Sequence, residues 1–242
     1  MQLVPKFNQQ DHQTWSLLFN KQASLRSSQI IPEFSEGLDY LQITGEKIPD
    51  IQNINSRLQK ATGWSGVYCE GFVEPLDFFK MLADKKFPIG SFIRDVKDLS
   101  YTPAPDVFHD LYGHIPFYFM PDYAEFNRQF GEAALQFAHS PQIIEEFQRL
   151  FWFTVEFGLL KTDNGLKIFG AGIASSFNEC RYALSEEPLK TAFDLEIIRH
   201  KSFRIDIMQP ELFVLESKNQ LYECLGEFVQ PYQEKFHAVV SS

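Results

Sequence analysis

The chain has 242 residues, 44% of them apolar, enough to bury a full core in one large domain or two small ones. A formal charge of −10 argues against nucleic acid or an anionic membrane surface as a partner. No run approaches a membrane span, the start MQLVPKFNQQDHQTW has no apolar signal core, and three scattered cysteines (Cys69, Cys180, Cys224) make neither a disulfide framework nor a zinc ribbon. These features point to the reducing cytoplasm, and 25 phenylalanines point to an interior or pocket rich in rings.

The pattern predicts a helix over Asp11 to Leu25 with Trp15, Leu18, Phe19, Gln22 and Leu25 on one stripe, after a flexible start over 1–14. Pro32 opens a second helix with Phe34, Leu38 and Leu41 inward, and Asp50 caps a third carrying Ile51, Ile54 and Leu58. Residues 64–73 read as extended, and Glu74-Pro75 starts a helix with Phe78, Phe79 and Leu82. Pro121 to Phe137 is helical, and Pro141 opens a helix that includes EEFQRLFWFTVEFGLLK, Glu145 to Lys161. A turn at Thr162-Asp163-Asn164-Gly165 favours a strand over Leu166 to Phe169. Ser176 and Glu179 match a capping box. Arg204 to Met208 and Leu212 to Leu215 read as short strands, and Asn219 to Val229 as the last helix. The expectation is one mainly α domain with a few short strands (α+β) over 1–242, not a βαβ series. G-x-G-x-x-G, P-loop and G-x-S-x-G motifs are absent.

The chemistry concentrates in Pro103-Ala104-Pro105-Asp106-Val107-Phe108-His109-Asp110-Leu111-Tyr112-Gly113-His114-Ile115-Pro116. The prolines keep the approach extended, Asp106 is a good N-cap, Val107 to Tyr112 reads as a short helix, and Gly113 suits a left-handed exit before Pro116. Five residues on an ideal helix turn through about 140°, so His109 and His114 share a face only if the chain bends back after Gly113. The spacing alone favours one hydrogen-bonded helix histidine and one in solvent. Glu156 changes the balance: its helix neighbours are Trp152, Phe153, Leu159 and Leu160, and a carboxylate there needs a cation, an arginine or a proton to neutralise it. Two histidines and a carboxylate form the facial ligand set of non-haem Fe(II) oxygenases, and catalytic zinc uses the same ligand types.

Together, TPAPDVFHDLYGHIP, FWFTVEFGL and FGAGIASSFNE resemble the catalytic domain of the pterin-dependent aromatic amino acid hydroxylases, the short bacterial phenylalanine-hydroxylating type best of all. The resemblance runs from Trp15 to near residue 230 and includes IPDIQNINSRLQKATGW. It implies Fe(II) held by His109, His114 and Glu156, a tetrahydropterin cosubstrate (tetrahydrobiopterin or a bacterial analogue), and O2. The reaction it implies makes L-tyrosine from L-phenylalanine. The pterin site then falls on Gly71, Phe72, Val73 and Phe78, with Asp110 approaching through water; Phe78 is otherwise a core residue and Asp110 an exposed helix carboxylate. For the substrate, Arg94 matches the carboxylate-binding arginine and Asp106 its partner. Thr102 and Ser175 match positions near the substrate backbone, and Pro105 and Trp152 match walls of the ring pocket. Without the resemblance, Arg94 reads as a surface residue, Asp106 as an N-cap and Trp152 as helix packing.

Phe151 departs from the family's usual tyrosine, which leaves iron binding intact and bears on coupling of pterin oxidation to hydroxylation. Phe108 and Glu74-Pro75 replace residues of the animal type, so the resemblance leaves the pterin's identity open. A regulatory domain and a tetramerisation helix have no room, implying a monomer or small homo-oligomer. The alternatives are tryptophan or tyrosine as substrate, a zinc hydrolase with Asp110 as base, and a binding domain without activity. Trp152 favours phenylalanine or tyrosine, because tryptophan-using relatives resemble this stretch with phenylalanine there. Against the hydrolase, the histidines are five apart where H-E-x-x-H has four.

Overall fold

The computed structural model describes residues 3–97, 99 and 104–240, the last six of these by backbone only. Asn8 opens the first helix with a reciprocal cap: its side chain accepts the Gln10 and Asp11 N–H groups, and the Asp11 carboxylate accepts the Asn8 N–H at 2.7 Å. This helix, α1 (Gln9–Lys21), starts inside the stretch expected to be flexible. It breaks at Gln22, which turns its carboxamide inward to donate to the Ala174 carbonyl at 3.2 Å, and α2 (Ala23–Gln29) follows. The single helix expected over 11–25 is therefore two.

Helices α3 (Pro32–Leu41) and α4 (Ile51–Ala61) bury the residues their periodicity selects, and Asp50 caps α4 by accepting the Gln52 N–H at 2.8 Å. Of the extended 64–73 stretch, only β1 (Ser65–Cys69) joins a sheet; Gly71, at φ +66°, turns the chain away. Helix α5 (Pro75–Ala83) then crosses to β2 (Lys86–Gly90), which pairs in parallel with β1. The first half thus holds one small βαβ unit.

The second half contains α6 (Pro121–Gln136), α7 (Pro141–Phe151), β3 (Leu159–Thr162), β4 (Gly165–Ile168), α8 (Ala171–Ala174), α9 (Phe177–Ala183), β5 (Leu189–Ala192), α10 (Leu195–His200), β6 (Glu211–Leu215) and α11 (Lys218–Val240). The strands form one sheet in the order β4-β3-β6-β5, with β3 and β4 an antiparallel hairpin and β6 parallel to β3 and β5. Leu159 and Leu160, expected on the helix of Glu156, belong to β3. Leu159 pairs with Ile168 on one side and Val214 on the other, and a short apolar run follows whichever partners tertiary structure offers.

Three other expectations change. Arg204 to Met208 forms no strand; the segment folds on itself, with the Arg204 guanidinium bound to Asp206 and two of its carbonyls taken by the Gln209 side chain. Ser176 caps α9 by accepting the Glu179 N–H at 3.3 Å, but the returning half of the box is not made. The Glu179 Oε2 is buried without a partner, and burial pushes that carboxyl up to about 7. The last helix is longer than 219–229 and runs through Pro231.

Candidate active site

Asp106 begins the element that carries the two histidines. Its Oδ1 accepts the His109 N–H at 2.9 Å and its Oδ2 the Arg94 N–H at 2.9 Å. The helix entered at Val107 does not end at Gly113. His109–His114 forms a π-helical turn, and Ile115–Phe119 continues as 3-10 helix around Pro116. Gly113 is not left-handed; it provides space, since a Cβ there would lie 2.8 Å from the Ala171 carbonyl. A π-turn closes i to i+5 hydrogen bonds, here Ile115 N–H to the Asp110 carbonyl, so residues five apart come onto one face. The wider turn solves the spacing that an α-helix would not.

Glu156 arises the same way. At Trp152 helix α7 passes into a second π-turn, Trp152–Glu156, closed by the Phe157 N–H on the Trp152 carbonyl at 2.9 Å. Thr154 Oγ1 donates back to the Leu150 carbonyl at 2.5 Å, a bond of the kind that bends helices. Both turns are packed against rings. Phe108 stacks on Tyr112 at 4.6 Å, and Val107, Phe108, Leu111 and Tyr112 are fully buried. Phe87 stacks on the His114 imidazole at 4.6 Å.

The two turns bring three donor atoms together. His114 Nε2 lies 3.0 Å from His109 Nε2 and 3.0 Å from Glu156 Oε1, and His109 Nε2 lies 3.8 Å from Glu156 Oε2. Among the described residues this is the one His/Cys/Asp/Glu group of ligating geometry. Ser175 Oγ donates to the Gly172 carbonyl at 3.0 Å, so the hydroxyl accepts from His109 Nδ1, also at 3.0 Å. That puts the His109 proton on Nδ1 and points the Nε2 lone pair at the other two groups. Burial pushes the His109 pKa down to about 4; the Glu156 carboxylate opposes this and the His114 imidazole adds to it. Burial works against the Glu156 charge, yet the two imidazoles hold its pKa below the usual carboxylate value.

One proton between these groups satisfies one pair, whereas a cation satisfies all three lone pairs. Donors about 2.1 Å from a common ion and at right angles to each other lie about 3 Å apart, the spacing of His114 Nε2 from its two neighbours. The donor set therefore fits a divalent metal bound on one face. Gly172 makes room for it: a Cβ there would lie 2.8 Å from Glu156 Oε2.

The triad opens on a cavity of about 260 Å³. Gly71, Phe72, Val73 and Phe78 line it, together with Pro105, Asp110, Phe151, Trp152, Phe203 and Ile205. Phe78 meets Phe151 edge to face at 5.1 Å, giving flat, ring-rich walls suited to a planar bicycle such as a pterin. Asp110 accepts the Gly90 N–H at 2.7 Å, and burial together with the charges of Asp106 and Glu156 keeps its carboxyl well above the ordinary value. It is buried, not the exposed helix carboxylate that the residues alone suggested.

Arg94 is buried too, gripping Asp106 in two prongs, Nε to Oδ2 and Nη2 to Oδ1, both at 2.8 Å. Burial works against the Asp106 charge, and the guanidinium overcomes it to hold that pKa below normal. Neither residue lines the cavity itself, nor does Ser175, whose partner is His109; Thr102 lies outside the described residues. Sequence reasoning missed Gly172, Phe203, Ile205 and Gln209. The signal for Phe203 and Ile205 was the apolar alternation of SFRIDIM, which reads equally well as a strand; Gly172 lay within FGAGIASSFNE without a role assigned to it, and Gln209 follows SFRIDIM with no signal of its own. A larger open cavity of about 790 Å³ lies where α7 starts beside α10 and α11, but its Arg199 is already paired with Glu196, Glu146 and Tyr232.

The biopterin-dependent aromatic amino acid hydroxylase family model matches residues 2–241. The phenylalanine-4-hydroxylase of Chromobacterium violaceum is 37% identical over 231 residues, 95% of this chain and 77% of that protein. The phenylalanine hydroxylase structure from Legionella pneumophila matches with a TM-score of 0.89 at 35% identity, over 97% of this chain and 96% of that one. The Chromobacterium violaceum enzyme solved with iron and phenylalanine bound matches with a TM-score of 0.84 at 37% identity, over 90% of this chain and 79% of that one. With its mainly helical fold and this degree of likeness along nearly its whole length, the chain belongs to the biopterin-dependent aromatic amino acid hydroxylases.

Proposed function

We propose that the chain is a phenylalanine 4-monooxygenase, converting L-phenylalanine to L-tyrosine with O2, Fe(II) and a tetrahydropterin. The observation that carries the reading is the convergence of His109, His114 and Glu156 on one point at the floor of a ring-lined cavity. Family membership leaves no support for the hydrolase and inert-domain alternatives.

When bound, the ferrous ion and the tetrahydropterin supply the electrons that activate O2 for attack on an aromatic ring. The protein's part is placement. His109, His114 and Glu156 would hold the ion, and the cavity beside them would take its other ligands. Ser175 keeps the His109 proton on Nδ1, away from the metal. Backbone groups over Gly71 to Val73 and the ring of Phe78 hold the pterin. Asp110, which lines the same cavity, would approach the cofactor through a water. Arg94, oriented by Asp106, would supply the positive charge for the substrate carboxylate. Pro105 and Trp152 flank the substrate ring. Phe203 stacks on Trp152 at 4.4 Å and thickens that wall, and a tryptophan at 152 favours phenylalanine over tryptophan as substrate.

We read residues 1–242 as a single catalytic domain working in the reducing cytoplasm. Three free cysteines support that compartment, and no described helix is long and apolar enough to cross a membrane. The deciding assay loads the protein with Fe(II) and supplies a tetrahydropterin, O2 and each aromatic amino acid in turn. Tyrosine from phenylalanine is the expected main product. Pterin-dependent turnover of tryptophan or tyrosine in preference to phenylalanine overturns the substrate assignment.

A further inference from the structure

Gln209 is 2% exposed, yet it stands in the loop between α10 and β6, directly after Ile205, Ile207 and Met208, which are 69%, 43% and 39% exposed. Its carboxamide has three bonds. The Trp152 indole N–H donates to Oε1 at 3.2 Å, and Nε2 donates to the carbonyls of Arg204 at 2.8 Å and Ile207 at 3.0 Å. An indole only donates and a carbonyl only accepts, so the amide has one orientation that satisfies all three. Residues 203–207 have no helix or sheet bonds, and Phe203 lies nearly parallel to Trp152, at 15° and 4.4 Å between centroids. Trp152, Phe203 and Ile205 all line the cavity.

We propose that Gln209 is a positioning residue that joins Trp152 and the 203–207 strap into one rigid wall, and so sets the width of the ring pocket and the choice among aromatic amino acids. The inference rests on Trp152 flanking the substrate ring, as read above. Without the Gln209 carboxamide, the indole N–H loses its partner, and the strap loses the two bonds that hold it over the cavity. Gln209→Met keeps the length and removes every bond. Gln209→Glu keeps an acceptor for the indole and removes both donors to the strap.

Two measurements separate the latch from the pocket. Trypsin cuts after Arg204, whose carbonyl is one of the Gln209 acceptors; in the apoprotein both variants should be cut at Arg204 about tenfold faster than wild type, the usual scale for losing buried hydrogen bonds. With Fe(II) and tetrahydropterin, the preference for L-phenylalanine over L-tryptophan in kcat/KM should fall about tenfold in Gln209→Met and less in Gln209→Glu, while the pterin KM holds within about twofold. Trp152→Phe run alongside reports on the wall itself. If that variant shifts the preference and Gln209→Met does not, or if cleavage at Arg204 is unchanged in whichever variant folds, the latch is wrong. If Trp152→Phe leaves the preference unchanged while Arg204 is cut faster, the latch holds the strap but the ring-pocket reading beneath the inference has failed.

Discussion

At the floor of the cavity, His109, His114 and Glu156 stand on two π-helical turns packed against buried rings, while at the rim Phe72 and Ile205 stand on loops with side chains 70% and 69% exposed. The floor must hold three lone pairs within about 4 Å of one another before any ion arrives, and that arrangement is unfavourable by itself. The surrounding ring cluster offsets it, since each fully buried aromatic contributes roughly 1.5–3 kcal/mol. The rim has the opposite problem. Its apolar surface waits for a ligand to cover it, and at roughly 25 cal/mol per Å² that surface stabilises the complex instead of the free protein. A rigid floor and an uncovered rim therefore divide the work between chemistry and recognition.

The division breaks at once if the floor is misassigned. Glu156→Ala should lose Fe(II) on gel filtration and drop hydroxylation to background, with the far-UV spectrum of the wild type, because the change removes a costly buried carboxylate without touching the core. Retained turnover would mean the metal sits elsewhere. Gly172→Ala tests how finely the floor is set: the added methyl, 2.8 Å from Glu156 Oε2, should displace the ligand and weaken Fe(II) about 10- to 100-fold in a chelator competition. An unchanged affinity would show a floor with slack in it.

The rim should respond differently. Phe72→Ala should raise the pterin KM about fivefold, the effect of roughly 1 kcal/mol of lost apolar cover, and leave Fe(II) affinity alone. Equal loss at the metal would mean that rim and floor are coupled. The smallest effect is expected at Phe151, which lies between the two, 5.1 Å from Phe78 and 6.4 Å from His114 by ring centroids. Phe151→Tyr should change the ratio of tyrosine formed to pterin oxidised about twofold, as one added hydroxyl can, and an unaltered ratio removes any role for the missing oxygen in coupling.

Helices α3, α4, α5 and α6 were legible from their periodicity, their prolines at the first turn and the Asp50 cap, because these are local signals that a short window contains. The candidate site was legible as a set of residue types: an N-capping aspartate before two histidines, and an acid among rings. Its geometry was not. A histidine spacing of five fits an α-helix badly, and only the π-turn, held by packing of Gly113 against the Ala171 carbonyl and of Phe108 against Tyr112, turns that spacing into a shared face. Leu159 and Leu160 became a strand because Ile168 and Val214 lie beside them, and Ser175 found His109 across 66 residues of sequence. The sequence by itself determined which residues could bind a metal and which faces had to be buried. Tertiary structure decided the width of the helical turns, the pairing of the strands and the wall formed by Gln209, because each depends on partners far away along the chain, whose contacts outweigh the small differences among local conformations.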